Sequence, residues 1–172
     1  MPIDLPASQA GDVLERAEET AHAFRLAMRR HAASVWIISR GCDDDANGMA
    51  ITALTSFSMD PLSVLVCVNQ AASMASALAE GTSFGLTLLG SRHEAMAVTF
   101  SRKPSGRPRF SDPAWRIEAD GPPWLAGAPV NLVCTAERSM AFGSHKAIVG
   151  RVRSVRLGPD DASLVYRNGL YA

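Results

Sequence analysis

The segment GMAITALTSFSMDPLSVLVCVN, residues 48–69, decides the fold of this 172-residue chain. It is apolar enough to form two β-strands, and the dipeptide Asp60-Pro61 between them predicts a turn. The segment also carries five small hydroxyl side chains, which are Thr52, Thr55, Ser56, Ser58 and Ser63. Hydroxyl groups buried in a sheet need hydrogen-bond partners. Either neighbouring strands provide those partners or a bound ligand does, and the pattern leaves both possibilities open.

The overall composition limits the class of protein. Hydrophobic residues make up 47% of the chain, which is typical of a globular domain, and 17 basic residues balance 17 acidic ones. This balance gives no general attraction to nucleic acids, and no apolar run approaches the roughly 20 residues that span a bilayer. The polar N-terminal sequence does not resemble a secretory signal, and the cysteines and histidines lack metal-site spacing. We therefore expect a cytoplasmic protein without nucleic-acid, membrane or metal partners.

Secondary-structure signals continue on both sides of this segment. The stretch AHAFRLAMRRHAA (21–33) has apolar residues at helical spacing, and SVWIISRG (34–41) is a β-branched strand pattern. Ser73 predicts the N-cap of a short helix, and Ser91 to Glu94 has the spacing of a capping box at the start of another. A basic loop at 102–114 is followed by strand-like segments up to the C-terminus.

This order of elements predicts a mainly β, α+β fold. Many short strands with a few helices are typical of a closed antiparallel β-barrel, and closure would hide the edges of the Val-rich strands. Residues 1–11 contain two prolines and no apolar period, so we expect a flexible N-terminal tail, with its boundary at residue 20. One domain over residues 21–172 follows, because no repeat or linker divides it.

Two catalytic or phosphate-binding signals are excluded. GTSFG at 81–85 matches the G-x-S-x-G pattern of serine hydrolases, which requires a strand before the serine and a helix after it. Here the predicted order is helix and then strand. Neither of the standard glycine-rich phosphate loops occurs in the sequence.

A candidate binding pocket lies where the second and third predicted strands end. Small side chains around residues 52–56 would let a flat ligand approach the backbone closely. Asn69 ends the next strand, and Ser73 opens a helix whose first N–H groups would favour an anion. These parts together could bind a phosphorylated ring compound. The alternative is a barrel whose Ser and Thr side chains pair across strands.

The order of short motifs resembles the flavin reductase-like family of FMN-binding split barrels, the reductase components of two-component flavin monooxygenases. The most specific piece is GMAITALTSFSMDPLSVLVCVNQAAS (48–73), with a T-A-x-[TS]-S run, a proline turn, an apolar strand and an N-x-x-x-S ending in that order. Further matches are GTSFGLTLL, AVTFS, Arg109-Phe110, GPPWLAGA, the H-x-x-x-x-G-x-V pattern from His145 to Val152, and LVYRNGLY. Together they extend from about Phe24 to Tyr171.

The resemblance implies a six-stranded antiparallel Greek-key split β-barrel of the FMN-binding type. It also implies a homodimer with the flavin near the subunit interface. The implied reaction is hydride transfer from NADH or NADPH to FMN, or to FAD, with the reduced flavin passing to a partner monooxygenase. Two alternatives remain open: a tightly bound FMN that reduces another acceptor such as a corrinoid, and a non-catalytic flavin-binding module.

The resemblance also implies roles for individual residues. Those expected along the isoalloxazine and ribityl are Thr52, Ala53, Leu54, Thr55 and Ser56. Those expected at the ribityl phosphate are Asn69, Ser73, Ser101, Arg102 and Lys103. His145 is expected to position the nicotinamide or stabilise charge, the alternative being a turn histidine bonded to backbone. Ser144 stands where the family often has Asp, so His145 lacks a charged orienting group, and Tyr171 is expected near the mouth of the site.

Overall fold

The computed structural model describes residues 7–102 and 106–172, with side chains described from residue 15 onward. The α-helices of this part are Ala7–Arg30 (α1), Ser73–Ala77 (α2) and Glu94–Ser101 (α3). The strands are Ala33–Ser34 (β1), Trp36–Arg40 (β2), Asn47–Ile51 (β3), Leu54–Met59 (β4), Leu62–Asn69 (β5), Ser83–Leu88 (β6), Trp115–Arg116 (β7), Trp124–Leu125 (β8), Val130–Phe142 (β9), His145–Leu157 (β10), Val165–Arg167 (β11) and Leu170–Tyr171 (β12). Short 3-10 turns span Asp43–Asp45, Ser91–His93 and Arg107–Phe110.

The main sheet is antiparallel and has the order β3-β2-β6-β9-β10-β5-β4. Its two outermost strands, β3 and β4, are consecutive in the chain and are separated only by Thr52 and Ala53. One bent segment therefore pairs with β2 through its first half and with β5 through its second half. This arrangement closes the sheet into a barrel without an open edge at that segment.

The expected mainly β antiparallel barrel is confirmed, while the count of six strands is not. The structure has seven strands in the main sheet because the predicted strand at 48–58 bends at Thr52 and Ala53. Counted as one bent strand, the segment would make six. A bend of this kind lets one strand serve two neighbours around a barrel.

The core consists of two apolar clusters on opposite faces of the same strands. Ile38 belongs to the cluster inside the barrel, with Phe84 and Ile148, whereas its neighbour Ile37 belongs to an outer cluster with Phe100. Successive side chains of a strand point to opposite faces, so β2 must be apolar on both. This explains why the first three residues of β2, 36–38, are all apolar. The outer cluster fixes α3 against β2 and β3, which creates one wall of the cavity described below.

Helix boundaries differ from the expectations in three places. Helix α1 begins at Ala7, so the prediction of a loose tail over residues 1–11 is wrong for 7–11, while residues 1–6 lie outside the described residues. The domain boundary at residue 20 stays a prediction. The N-cap of α2 is Ala72 and not Ser73, and α2 has only five residues. Before α3, the Nδ1 of His93 accepts the backbone N–H of Gly90 at 3.0 Å, which replaces the expected Ser91–Glu94 capping box.

None of the helices in the described part of the chain combines the length and the apolar character needed to cross a lipid bilayer.

Candidate functional site

A cavity of about 630 Å³, here called the first cavity, opens between β3, α2, the end of α3 and the 3-10 turn at Arg107–Phe110. Its lining residues are Asn47, Gly48, Met49, Ala50, Ala71, Ala72, Ser73, Met74, Phe100, Ser101, Arg102 and Arg109. Two of them are arginines and none is a carboxylate. The volume falls within the roughly 300–1,000 Å³ of small-molecule sites. The first cavity is therefore suited to an anionic organic ligand.

The guanidinium of Arg109 is held inside the protein at the wall of this cavity. Its Nη1 donates to the carbonyl oxygens of Gly48 at 2.6 Å and Phe100 at 3.0 Å, and the residue is only 8% exposed. Burial lowers the pKa of Arg109 from its ordinary value, but a guanidinium stays protonated in proteins. A cation held in place by the backbone thus forms part of the wall of the first cavity.

Gly48 is required beside this arginine. A Cβ at this position would lie 2.9 Å from Cε1 of Phe100 and 3.0 Å from the carbonyl oxygen of Ile38. The missing side chain lets α3 and the Arg109-Phe110 turn pack directly on β3. The glycine therefore sets the position of the cation relative to the strand.

Polar side chains on the opposite wall connect β3 to α2. The Nδ2 of Asn47 donates to the Oγ of Ser73 at 3.2 Å, and its Oδ1 accepts the backbone N–H of Gly48 at 2.8 Å. The Oδ1 of Asn69 accepts the backbone N–H of Ala71 at 2.9 Å and so shapes the loop that leads into the cavity wall. Ser73 thus lines the first cavity, and Asn69 lies at the base of its loop.

The phosphate candidates after α3 are partly assembled here. Ser101 and Arg102 line the first cavity, while Lys103 lies outside the described residues. The Oγ of Ser101 donates to the carbonyl oxygen of Ala97 at 2.8 Å and lies 3.1 Å from the hydroxyl of Tyr171. Tyr171 therefore lies next to a residue of the cavity lining, in agreement with its expected place near the mouth.

His145 begins β10 and lies opposite Asn69 in the β5–β10 pairing. Its side chain is exposed, and its Nδ1 is 2.9 Å from the Oγ of Ser144. The serine that replaces the family's frequent Asp thus orients the imidazole without a charge. His145 is not part of the first cavity's lining, and its role towards the nicotinamide stays a prediction.

The hydroxyl-rich segment is not gathered inside the first cavity. Ala53, Thr55 and Ser56 are exposed, whereas Leu54 is half-buried and packs against the cluster inside the barrel. The Oγ1 of Thr55 donates to the carbonyl oxygen of Ser56 at 3.3 Å, and the carbonyl oxygen of Ala53 accepts the N–H of Cys67 at 3.0 Å. Contact between these residues and a flavin ring stays a prediction.

Thr52 instead lines a separate space of about 530 Å³, here called the second cavity, between α1 and the hairpin of β11 and β12. Its lining residues are Phe24, Arg25, Met28, Arg29, His31, Ala33, Thr52, Tyr166, Asn168 and Gly169. The apolar face expected on the first helix is confirmed in part: Phe24 and Met28 share this cavity, but they remain 62% and 53% exposed.

Sequence reasoning missed Asn47, which reads as turn chemistry in the stretch CDDDANG. Arg109 belongs to the basic cluster Arg102, Lys103, Arg107 and Arg109, for which phosphate contact and a solvated loop are equally open from the sequence, and it was not singled out within that cluster. A further sequence signal for Arg109 is its place immediately before Phe110, an aromatic residue that the structure buries at 4% exposure. A cation next to a buried aromatic is drawn inward with it.

Cys134 carries no reactive thiol chemistry in this fold. Burial inside the barrel raises the pKa of its thiol to about 12. Since the thiolate is the nucleophilic form, Cys134 is inert at neutral pH.

Comparisons with known proteins give a consistent result. The family model described as "Flavin reductase like domain" matches residues 28–172. The reductase component of the FADH(2)-dependent resorcinol hydroxylase of a Rhizobium species is 31% identical over 156 residues, which cover 90% of this chain and 87% of that protein. FMN reductase (NADH) RutF 1 of Methylorubrum extorquens is 32% identical over 151 residues, covering 88% of this chain and 75% of that one. Among solved structures, BorF, the flavin reductase component of a bacterial two-component tryptophan halogenase, aligns with a TM-score of 0.80 at 28% identity, covering 88% of this chain and 96% of that one.

Proposed function

Because the chain belongs to the flavin reductase like domain family, we propose that it is an NAD(P)H-dependent flavin reductase that supplies reduced FMN or FAD to a partner monooxygenase. The observation that carries this proposal is the first cavity, with its two arginines and no carboxylate in the lining. NADH is the first nucleotide to test, since the similar RutF 1 protein is named an FMN reductase (NADH). We place the reaction in the cytoplasm.

The residues of the first cavity fit the phosphate and ribityl parts of a flavin. Arg102 and Arg109 offer guanidinium groups, which match the geometry of phosphate oxygens. Asn47 and Ser73 offer an amide and a hydroxyl on the opposite wall, suited to ribityl hydroxyls. Because α2 has five residues, the anion preference comes from the arginines and not from a helix dipole.

The bound flavin would supply the hydride-accepting atom, which no side chain of this protein can provide. The chain's own task is to hold and orient the reactants. Arg109 fixes the phosphate end because its guanidinium is itself fixed by two carbonyl groups. The ring would then extend beyond Ala50 towards Thr52 and residues 53–56. His145, oriented by Ser144, would position the nicotinamide from the neighbouring strand.

A homodimer would cover the exposed barrel surface around the site. Phe57, Met59 and Leu62 on the β4–β5 hairpin are 57%, 79% and 53% exposed, and Met140 and Phe142 on β9 are 64% and 83% exposed. They extend from the β4–β5 hairpin to the β9–β10 hairpin, at opposite ends of the β5–β10 pairing. A second copy that covered this length of the sheet would remove their apolar surface from water. We propose that a second copy packs against them and encloses the flavin ring beside residues 52–56.

The test is NADH oxidation by the purified chain with and without added flavin. We expect negligible oxidation without free flavin, saturable oxidation when FMN or FAD is added, and loss of turnover when free flavin is removed by gel filtration. The same measurement with NADPH ranks the two nucleotides. A chain that binds no flavin would overturn the proposal.

Two other outcomes of this assay would favour one of the alternative functions over a flavin-supplying reductase. Turnover that persists after gel filtration would indicate a tightly bound FMN that reduces another acceptor, such as a corrinoid. Flavin binding without any NADH or NADPH oxidation would leave a non-catalytic binding module. Both outcomes are distinguishable from inactive protein, because the visible absorption of bound flavin reports on the folded pocket.

A further inference from the structure

We propose that the second cavity binds the adenosine diphosphate portion of a dinucleotide. The choice of ligand rests on the proposed function, because both NAD(P)H and FAD carry an adenosine diphosphate group. The second cavity of about 530 Å³ lies between α1, Thr52 and the β11–β12 hairpin, away from the first cavity's arginines. Its volume is that of a small-molecule site.

The charge of the second cavity favours a pyrophosphate. Arg25 and Arg29 line it, and its lining contains no Asp or Glu. Arg29 is held in place, because its Nη2 donates to the carbonyl oxygen of Asn168 at 3.0 Å and its own carbonyl accepts the N–H of Asn168 at 2.7 Å. Within residues 15–102 and 106–172, whose side chains are described, Arg25 has no hydrogen-bond or ion-pair partner. Its guanidinium is thus available for a bidentate contact with phosphate oxygens.

The remaining lining favours an aromatic base. Phe24 is 62% exposed and Tyr166 is 38% exposed, and both rings border the cavity. The ring of Tyr166 is supported from behind by Tyr171, with ring centroids 5.1 Å apart. Nucleobases stack on exposed aromatic rings held in this manner. An adenine and a pyrophosphate therefore both find complementary groups within one cavity.

The second cavity lies close enough to the first for one dinucleotide to extend from one to the other. Ala50 lines the first cavity and Thr52 lines the second, and two residues of extended strand span about 7 Å. Tyr171 connects the two spaces from the other side, since it supports Tyr166 and lies 3.1 Å from Ser101 of the first cavity. A dinucleotide with its adenosine diphosphate in the second cavity could therefore extend its other half towards the flavin.

A second copy of α1 is the competing occupant of this apolar surface. An antiparallel pairing of two α1 helices would bring Arg25 and Arg29 towards the Glu15, Glu18 and Glu19 side of the other copy, so the charges of α1 alone do not exclude it. The lining of the second cavity contains two arginines and no carboxylate, which favours a ligand with two phosphates. The titrations and the sedimentation measurement below separate the two occupants.

The test is calorimetric titration with ADP-ribose, which has the adenosine diphosphate group but no nicotinamide. Arg25→Gln is compared with Arg16→Gln, which makes the same charge change on α1 outside the cavity lining. We expect the Kd for ADP-ribose to rise about five- to tenfold in Arg25→Gln, from the loss of one charge-assisted contact in a partly exposed site. We expect no change in Arg16→Gln, an unchanged Kd for FMN in both, and a KM for NADH that rises with the Kd in Arg25→Gln.

A second variant, Phe24→Ser, removes the stacking surface and should weaken ADP-ribose as well. If both variants bound FAD more weakly while the KM for NADH stayed unchanged, the second cavity would still bind an adenosine diphosphate group. That group would then belong to FAD and not to NADH. Unchanged ADP-ribose affinity in Arg25→Gln and Phe24→Ser would overturn the inference. The inference would also be overturned if Phe24→Ser changed the sedimentation coefficient but not the affinity for ADP-ribose. That result would mean that a second copy of the chain covers this surface. ADP-ribose binding requires neither flavin nor turnover, so failure of the proposed reductase activity is measured separately.

Discussion

Replacing Arg109 with methionine tests two roles of its guanidinium, which are to donate hydrogen bonds to buried backbone carbonyls and to bind the phosphate of a flavin. Methionine keeps the unbranched stem of the side chain but removes the charge and the donors to Gly48 and Phe100. A buried carbonyl that loses its donor costs about 1–3 kcal/mol, so the loss of a donor to both carbonyls should lower the free energy of unfolding by about 2–6 kcal/mol. For a domain of this size, 3 kcal/mol corresponds to a drop in Tm of about 6–12 °C.

The same substitution should weaken FMN binding. Loss of one guanidinium facing the phosphate removes a hydrogen bond to a charged group, worth about 1.5–3 kcal/mol, which raises the Kd for FMN at least about tenfold. Tm is measured by circular dichroism, and Kd by flavin fluorescence well below the Tm of the variant. The matched control is Arg107→Met, because Arg107 lies in the same 3-10 turn but is exposed. We expect the control to change neither quantity appreciably.

Two results would refute this reasoning. A Tm equal to that of the unmodified protein would mean that the carbonyl groups of Gly48 and Phe100 do not depend on Arg109. A lowered Tm together with an unchanged FMN affinity per folded molecule would mean that Arg109 only supports β3 and that the phosphate binds elsewhere.

Three further predictions concern single positions. Ser73→Ala should weaken FMN binding by about 0.5–1.5 kcal/mol in fluorescence titration with an unchanged Tm, and a lowered Tm at unchanged affinity would assign Ser73 a purely structural role. Cys134 should resist thiol reagents in the folded state at pH 8 and react after denaturation, and rapid labelling of the folded protein would contradict its burial. Because the pKa of the buried thiol is raised to about 12, the free energy of unfolding should decline as pH rises above the ordinary thiol pKa of about 8.5. Gly150→Ala should destabilise the barrel by about 1–3 kcal/mol in urea unfolding, because its Cβ would lie 2.5 Å from Cζ of Phe84, whereas Gly121→Ala has nothing within 4 Å and should be nearly neutral.

The barrel could be predicted because its signals are local. The unbroken apolar run of β2 and β5, the Asp60-Pro61 turn and the succession of short strands all follow from side-chain patterns within a few residues. The bend at Thr52 could not be predicted in this way. It exists because one segment must pair with β2 and with β5 around a closed barrel, and closure is a property of the whole sheet.

The residues of the candidate site also differ in whether local sequence could predict them. Ser73, Ser101 and Arg102 were expected from motif order, and the structure brings them to one cavity. Asn47 was missed and Arg109 was not singled out from its basic cluster, because their places in the cavity wall depend on hydrogen-bond partners 26 and 61 residues away in the chain. The start of α1 at Ala7 was missed as well, since the sequence of its first turns lacks the apolar period on which the expectation relied.

The most direct test of the first cavity as a phosphate site is to compare the Kd values of FMN and riboflavin, which differ by the phosphate group alone. With two guanidinium groups and no carboxylate in the lining, we predict that FMN binds at least about tenfold more tightly at low ionic strength. The difference should narrow as salt screens the exposed Arg102, and it should narrow further in Arg109→Met. Equal affinities for FMN and riboflavin would contradict the account.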